Sequence, residues 1–264
     1  MEAFLADPTM LVLAGGVGVL VGFILGLVGG GGSILAVPLL LYVVGVASPH
    51  IAIGTAAVGV AANAASGLVA HARAGTVKWR CAMVFSLSGI VGAYAGSSLG
   101  KAIDGDALLA AFGAAMILIG IWTLVPKTRE EQPDVRLTLD TARELLPRLV
   151  PFGLGAGTGA GFFGIGGGFL IAPGLMAATR MPLSVAVGTS LVAVLAFGAT
   201  TAANYGVSGL VDWPVAFAMI TGGVVGGFAG QRTSRALGRR GNVLGTVFAS
   251  VVMGVGALII WQAV

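Results

Sequence analysis

The sequence predicts an all-α polytopic membrane protein built from two inverted repeats, and its composition and segment pattern support this. Of its 264 residues, 57% are hydrophobic and 9% are charged, whereas ordinary soluble domains carry about 25% charged residues. The mean hydropathy is +1.01. The basic residues behind the net charge of +4 are scattered through short loops between apolar segments. This distribution favours membrane topology over nucleic-acid binding.

Five apolar segments are predicted before a central polar loop, and five after it. The second segment of each set is short, because the stretch from Ser33 to Val46 would reach about 21 Å as a helix, against ~30 Å of hydrocarbon. Each short segment is therefore either part of a tilted crossing or a re-entrant hairpin. The predicted segments lie at about residues 10–28, 33–46, 51–72, 80–100, 106–125, 149–165, 168–179, 183–206, 213–231 and 242–262.

A glycine-rich break precedes the first short segment. Gly29 to Gly32 are consecutive glycines between two apolar runs, and glycine weakens a helix by roughly 1 kcal/mol per residue relative to alanine. Ser33 is a good helix cap, so a new helix is expected after the break. Its free N–H groups and positive dipole end would form an anion site without a charged side chain.

The same motif occurs a second time, from Gly161 to Met176, and shows that the chain is duplicated. A one-residue slip then relates Gly54-Thr55 to Gly188-Thr189 at an offset of 134. At an offset of 135, Gly26, Gly29, Gly31, Gly32, Leu35, Pro38 and Leu40 match Gly161, Gly164, Gly166, Gly167, Leu170, Pro173 and Leu175.

These paired Gly-x-x-Gly-x-Gly-Gly motifs, each followed by a proline-bearing apolar segment, resemble those of the sulfite exporter TauE/SafE family. The resemblance covers nearly the whole chain. It implies a bacterial inner-membrane permease for sulfite, organosulfonates or related small anions. Ile165 departs from the first motif, where a glycine stands, so the two half-sites are not expected to be equivalent.

The lysines and arginines predict that the two copies face opposite ways. If the N-terminus lies outside, 13 of the 14 basic residues fall on the cytoplasmic side and only Lys101 lies outside. Both termini are then outside and the central loop is cytoplasmic. The predicted units are a first repeat at 1–125, a cytoplasmic linker at 126–148 and an inverted second repeat at 149–264.

Inversion would bring the two glycine breaks together near the bilayer midplane, where transporters of this design bind substrate by alternating access. Close helix packing is the alternative role for these glycines. The amide of Asn63 would bind either substrate or another helix, and back-bonding is the alternative for the hydroxyls. The candidate substrate-binding residues are Gly29, Gly30, Gly31, Gly32, Ser33, Thr55, Asn63, Gly164, Gly166, Gly167, Gly168, Thr189 and Ser190.

The remaining expectations concern partners and chemistry. The sequence predicts no cofactor, no metal site and no enzyme activity, since Cys81 is the single cysteine and no nucleophile–base pair lies within the spans. No carboxylate falls in the middle of a span, and an inside-negative potential favours anion exit. The expected partners are a small sulfur-containing anion and the lipid bilayer. A homo-oligomer is left open, and a non-transporting membrane scaffold or accessory subunit is the alternative function.

The central loop has its own predicted details. Thr141 and Glu144 fit a capping box. The preferred interpretation of the loop is a tether between the repeats. The alternative places Leu145, Leu146 and Leu149 along the membrane surface before the sixth segment begins.

Overall fold

A computed structural model describes residues 8–28, 30–124, 135, 137–164, 168–237, 250 and 252–261, and these residues form helices and loops without a strand. Helices α1, α3, α4, α8 and α9 are long and apolar enough to cross a membrane. The all-α polytopic prediction is thereby confirmed. The helices are α1 (Pro8–Val28), α2 (30–44), α3 (Pro49–Arg73), α4 (Trp79–Ala102), α5 (Gly105–Leu124), α6 (Leu139–Phe163), α7 (Gly168–Thr179), α8 (Leu183–Val207), α9 (Trp213–Leu237) and α10 (Val252–Trp261).

The first short segment, α2, is irregular along its length. It begins as a 3₁₀ helix at Gly30–Leu35, continues as α-helix at Ala36–Leu39 and ends as a π-helix at Leu40–Val44. Pro38 lies within it and cannot donate a backbone hydrogen bond. Gly45 then ends the helix in the left-handed conformation, with φ of 82°. The second short segment, α7, is a plain α-helix of 12 residues.

Helices α1, α3 and α9 run parallel to one another, whereas α4, α6 and α8 run the opposite way. Within the first group, earlier residues of α1 and α3 contact earlier residues of α9, and later residues contact later ones. The contacts that fix this are those of Gly18 and Gly59 with Met219, and of Gly26 and Gly67 with Gln231. In the second group they are those of Phe85 with Phe197, Gly100 with Tyr205, Gly89 with Gly157 and Ala93 with Gly161.

The direction of α3 relative to α8 relates the two groups. Gly54, near the start of α3, lies against Tyr205 near the end of α8, and Gly67 lies against Leu191 near its start. The two helices are therefore antiparallel. Each helix of the first half thus runs opposite to the helix with the same place in the second half: α1 to α6, α3 to α8 and α4 to α9.

These directions decide how the short segments run. Because α1 and α3 are parallel, the chain must return the length of the bundle between Val28 and Pro49. About 20 residues at 1.5 Å each give roughly 30 Å, so α2 and its flanking turns form a crossing rather than a hairpin. The parallel pair α6 and α8 gives α7 the same role.

The bundle has one basic end, which we call the basic face: the end where α4, α6 and α8 begin and α3 and α9 end. Among the described residues, all lysines and arginines except Lys101 lie at or toward this face. They are Arg73, Lys78, Arg80, Arg143, Arg148, Arg180, Arg232 and Arg235. The charge asymmetry expected from the sequence therefore exists in the folded bundle.

Two glycine seams hold the bundle together. Gly18, Gly22 and Gly26 of α1 lie against the backbone of α9, so closely that a methyl group on any of them would overlap it. In the second seam Gly153, Gly157 and Gly161 of α6 lie against α4 in the same way. These six residues correspond pairwise at the offset of 135. Such close approach of backbones is typical of small residues in membrane helices.

Helix α6 begins earlier than the sequence suggests. It starts at Leu139, ten residues before the predicted segment, and Thr138 caps it by accepting a hydrogen bond from the backbone N–H of Thr141. The capping box predicted at Thr141 and Glu144 is therefore wrong by three residues. Glu144 instead forms an ion pair with Arg148 at 3.2 Å.

The leucines near the start of α6 do not form a separate surface segment. Leu145 and Leu149 are buried in the hydrophobic core and Leu146 is exposed. They belong to one continuous helix from Leu139 to Phe163, so the alternative of a separate membrane-surface segment is wrong.

Candidate functional site

Asn63 is a buried polar residue whose side chain lies between helices of the bundle. It lies in α3 near the level at which α3 crosses α8, and its side chain packs against Gly223 of α9. Only 2% of the residue is exposed, yet neither Oδ1 nor Nδ2 has a hydrogen-bond partner within the described residues. A buried unpaired amide costs about 1–3 kcal/mol, so its retention calls for a ligand or a water molecule.

A small cavity adjoins this amide. Its volume is about 10 Å³, which is roughly what one water molecule needs. The residues around it include Gly22 and Leu25 of α1, Asn63 and Gly67 of α3, Leu191 of α8 and Gln231 of α9. The cavity is therefore small and largely enclosed, and a ligand larger than a water molecule requires helix movement.

The cavity extends from Asn63 toward the basic face and is closed in the other direction. On the closed side Met219, which is fully buried, fills the space over Gly59, and its Sδ is 2.7 Å from where a methyl group on Gly59 would lie. Gly67 and Gln231 lie on the basic-face side of Asn63. Access to the amide in this conformation therefore favours the basic face.

The first glycine motif lies beside this cavity. Gly32 packs against the backbone of α1 at Leu25, which itself lines the cavity, and Ser33 is fully buried. The 3₁₀ turn at Gly30–Leu35, which contains Gly31, packs against both α1 and α7. Gly29 lies outside the described residues.

The second glycine motif begins on the other side of Asn63. Gly164 ends α6 in the left-handed conformation with φ of 66°, and a side chain there would overlap Ile53 of α3. Gly168 is buried and begins α7. Gly166 and Gly167 lie outside the described residues.

Thr55 and Thr189 have structural partners that the sequence analysis did not predict. The hydroxyl of Thr55 accepts a hydrogen bond of 2.9 Å from the backbone N–H of Asp212, at the start of α9. The hydroxyl of Thr189 accepts one of 3.1 Å from the backbone N–H of Lys78, at the start of α4. Lys78 and Asp212 are themselves 134 residues apart. Each threonine therefore satisfies an N–H group at the start of a helix in the other half.

Another buried hydroxyl among the candidates, that of Ser190, is bonded within its own helix. Ser190 donates a hydrogen bond of 2.8 Å to the carbonyl of Val187, which is the back-bonding that the sequence analysis gave as the alternative for such residues.

The one basic residue away from the basic face, among those described, has uncharged partners. The ammonium of Lys101 donates to the backbone carbonyl of Asn204 at 3.0 Å, to its side-chain oxygen at 2.7 Å and to the Ser208 hydroxyl at 2.9 Å. These acceptors lie in the last turn of α8 or just after it, where a cation is favoured by the helix dipole. Lys101 therefore joins the end of α4 to the end of α8.

Sequence reasoning missed Gly223, which packs against Asn63. It also missed Met219 and Gln231, which lie against Gly59 and Gly67, one helical turn before and after Asn63. The glycine spacing of α9 was visible, but which residues face α3 depends on the rotation of that helix. A period of 3.6 residues fixes a face and not the partner of that face.

The chain is similar to known membrane transporter proteins. The family profile described as Sulfite exporter TauE/SafE matches residues 14–259. The chain is 46% identical over 258 residues to a "Probable membrane transporter protein" of Xylella fastidiosa strain 9a5c, covering 96% of each chain.

Two proteins of Bacillus subtilis strain 168 are also similar to the chain. It is 26% identical over 264 residues to "Probable membrane transporter protein YunE", covering 94% of this chain and 96% of that one. It is 28% identical over 221 residues to "Probable membrane transporter protein YdhB", covering 81% of this chain and 86% of that one. No solved structure matches the chain.

Proposed function

Because the chain belongs to the sulfite exporter TauE/SafE family and is a multi-pass membrane transporter, we propose that it exports a small sulfur-containing anion, sulfite or an organosulfonate, across the bacterial inner membrane. The basic face is then cytoplasmic and both termini lie outside. No Asp or Glu of the described residues lies in the middle of a span. An inside-negative potential favours anion exit by about 2.3 kcal/mol per charge per 100 mV, so export needs no carboxylate-based coupling.

The proposed substrate site lies around Asn63, between the two glycine motifs. The observation that carries it is the buried amide of Asn63 with neither side-chain atom paired. The site is completed by the starts of α2 and α7. Its proposed members are Gly29, Gly30, Gly31, Gly32, Ser33, Thr55, Asn63, Gly164, Gly166, Gly167, Gly168, Thr189 and Ser190.

The chemistry of these groups suits an anion that must be bound and then released. Backbone N–H groups at a helix start and an amide Nδ2 donate hydrogen bonds but carry no full charge. They can replace part of the hydration shell of an oxyanion without the strong attraction of a buried lysine or arginine. The hydroxyls of Thr55 and Thr189 accept one bond each, which leaves each O–H proton able to donate to a ligand.

We further propose that the chain consists of inverted units at 1–125 and 149–264, joined by a linker at 126–148 that includes the first turns of α6. The opposite helix directions, the paired glycine seams and the paired threonine contacts support this arrangement. Rocking of one set of helices against the other would open the Asn63 site alternately to each side.

The test is efflux of sulfite and methanesulfonate from liposomes that contain the purified protein, with Asn63→Leu as the probe variant. Leucine is close to asparagine in size but cannot donate a hydrogen bond. We expect the wild type to move at least one anion and Asn63→Leu to lose roughly tenfold or more in kcat/KM. The matched control is Thr221→Val, because this exposed hydroxyl of α9 bonds only to its own helix, at the carbonyl of Ala218.

Thermal stability of the detergent-purified protein is the second readout. An anion at 100 times its dissociation constant should stabilise the wild type by about 2.7 kcal/mol, and Asn63→Leu should remove that increment. If the wild type transports no sulfur oxyanion and is stabilised by none, the proposed substrate class is refuted. A non-transporting membrane scaffold or accessory subunit is then the favoured function.

A further inference from the structure

We propose that Gln231 is a second substrate-contacting residue, at the basic-face end of the Asn63 cavity, so that an anion meets two amide side chains in succession. This inference rests on the proposed function and adds a residue to its site. It also sets the order of contact: Gln231 first from the basic face, then Asn63.

The position of Gln231 carries the first step of the argument. Its Nε2 is 3.6 Å from where a methyl group on Gly67 would lie, and Gly67 is one helical turn after Asn63 on the same face of α3. Both amides line one cavity. Gln231 has no hydrogen-bond partner within the part of the chain that the structure describes, so its amide is available to a ligand.

The difference in burial gives the order. Asn63 is 2% exposed, whereas Gln231 is only partly buried. Beyond Asn63, Met219 and Gly59 pack together and close the cavity. A ligand entering from the basic face therefore reaches Gln231 before Asn63, and it stops at Met219 until the helices move.

The glycines around the cavity make room for this path. Gly26 of α1 lies 3.0 Å from the backbone nitrogen of Gln231, measured from where its methyl group would be, and Gly67 leaves the same space open from α3. A methyl group on Gly26 would overlap the backbone carbonyl of Gly227, and one on Gly67 would already be in van der Waals contact with Gln231 Nε2. The lysines and arginines of the basic face would raise the local concentration of anions at this entrance.

A neutral amide is the group expected at such a first contact. Its N–H donors bind an oxyanion, and losing one such bond to a charged ligand typically weakens binding by about tenfold or more. A full positive charge there would hold the anion and slow its passage.

The first experiment compares Gln231→Leu and Gln231→Asn with the matched control Thr233→Val, whose hydroxyl bonds to Ala229 of its own helix. We expect Gln231→Leu to raise the KM for sulfite or methanesulfonate efflux about tenfold or more, with a much smaller change in kcat. Gln231→Asn should retain part of the affinity.

An unchanged KM in Gln231→Leu, in a preparation whose wild type moves the anion, would overturn this inference and leave the proposed function standing. A wild type that moves no sulfur oxyanion would refute the proposed function instead. In that case the accessibility experiment below still decides whether Gln231 faces an aqueous path.

The second experiment uses thiol labelling, for which the chain is well suited because its single cysteine, Cys81, is 1% exposed. In a Cys81→Ala background, Gln231→Cys and Met219→Cys are treated with sulfonatoethyl methanethiosulfonate, which does not cross membranes. The exposed residues Ala74 and Ala102, each changed to cysteine in turn, identify the basic face and the opposite face of the vesicles.

We expect Gln231→Cys to react from the basic face and to be protected from the reagent by methanesulfonate. Met219→Cys should not react from that face. A Gln231→Cys protein that is unreactive from the basic face would overturn the proposal. The proposal would also be overturned if methanesulfonate left the labelling rate of Gln231→Cys unchanged. The concentration used is one that saturates transport or, if no transport of methanesulfonate is detected, a molar concentration.

Discussion

Two corresponding sites in the bundle each consist of a glycine and the side chain that packs against it from a neighbouring helix, and we call each site a notch. One notch contains a polar side chain and the other an apolar side chain. In one, the side chain of Asn63 packs into the space left by Gly223; in the other, 134 residues away in both positions, Phe197 packs into the space left by Gly89. A methyl group on either glycine would overlap the side chain that fills its notch. The framework is shared, and the chemistry differs.

The residues next to the notches differ in the same sense. Phe85 stacks on Phe197 with ring centroids 6.3 Å apart and closes the apolar notch. Met219 occupies the corresponding place beside Asn63, with the small cavity on the other side of the amide. One half therefore places a polar side chain in its notch and the other half an apolar one, so the proposed substrate site is asymmetric.

The largest predicted effect concerns the shared framework. Gly22→Leu and Gly157→Leu each place a side chain against the backbone of a neighbouring helix, Gly223 of α9 and Gly89 of α4 respectively. Since neither backbone can yield without separating a helix pair, we expect both variants to give no monodisperse folded protein on gel filtration in detergent. Gly16→Leu is the control, because no atom lies within 4 Å of a methyl group there.

Equal failure of the two variants would support equivalent seams. Survival of only one of them would show that the two halves are not built on the same framework.

The next effect sharpens the difference between the notches. Phe197 is fully buried, and Phe197→Ala leaves a cavity that should destabilise the protein by about 3–5 kcal/mol. A thermal melt in detergent measures the loss, with the exposed Phe217→Ala as the control. A small change on Phe197→Ala would mean that this side chain does not brace the bundle.

A smaller change of opposite sign is expected in the polar notch. Asn63→Leu removes a buried amide without a partner in the described structure, so stability should stay level or rise by up to about 2 kcal/mol. The same melt measures it. A fall as large as that of Phe197→Ala would show that Asn63 contributes to folding and would weaken its assignment to the substrate.

Much of the fold could be read from the sequence because the glycines and apolar runs are local signals. Most predicted segments agree with the helices to within a few residues, but α6 begins ten residues early, where Thr138 rather than Thr141 forms the cap, and α9 ends six residues late. Residues 242–249 of the last predicted segment lie outside the described residues. Both threonines fit a capping pattern, and only the extended backbone of Thr138, with ψ of 174°, distinguishes them.

The candidate site was harder to predict because its contacts are distant in sequence. Thr55 bonds to Asp212 and Asn63 packs on Gly223, and neither partner follows from the spacing of residues along one helix. Length alone also left the short segments undecided between crossing and hairpin. The parallel directions of α1 and α3 decide that question, and a direction is a property of the assembled bundle.

The smallest predicted effect tests whether the halves hold each other symmetrically. Thr55→Val and Thr189→Val each remove one acceptor for an N–H group at a helix start, at Asp212 and Lys78, so each should cost about 1 kcal/mol of stability. Thr200→Val is the control, since its hydroxyl bonds to Ala196 in its own helix. Thermal melts without and with a transported anion separate two roles for each threonine. Equal losses that the anion does not alter would identify purely structural threonines, whereas a smaller anion-induced shift in either variant would place that hydroxyl in the substrate site.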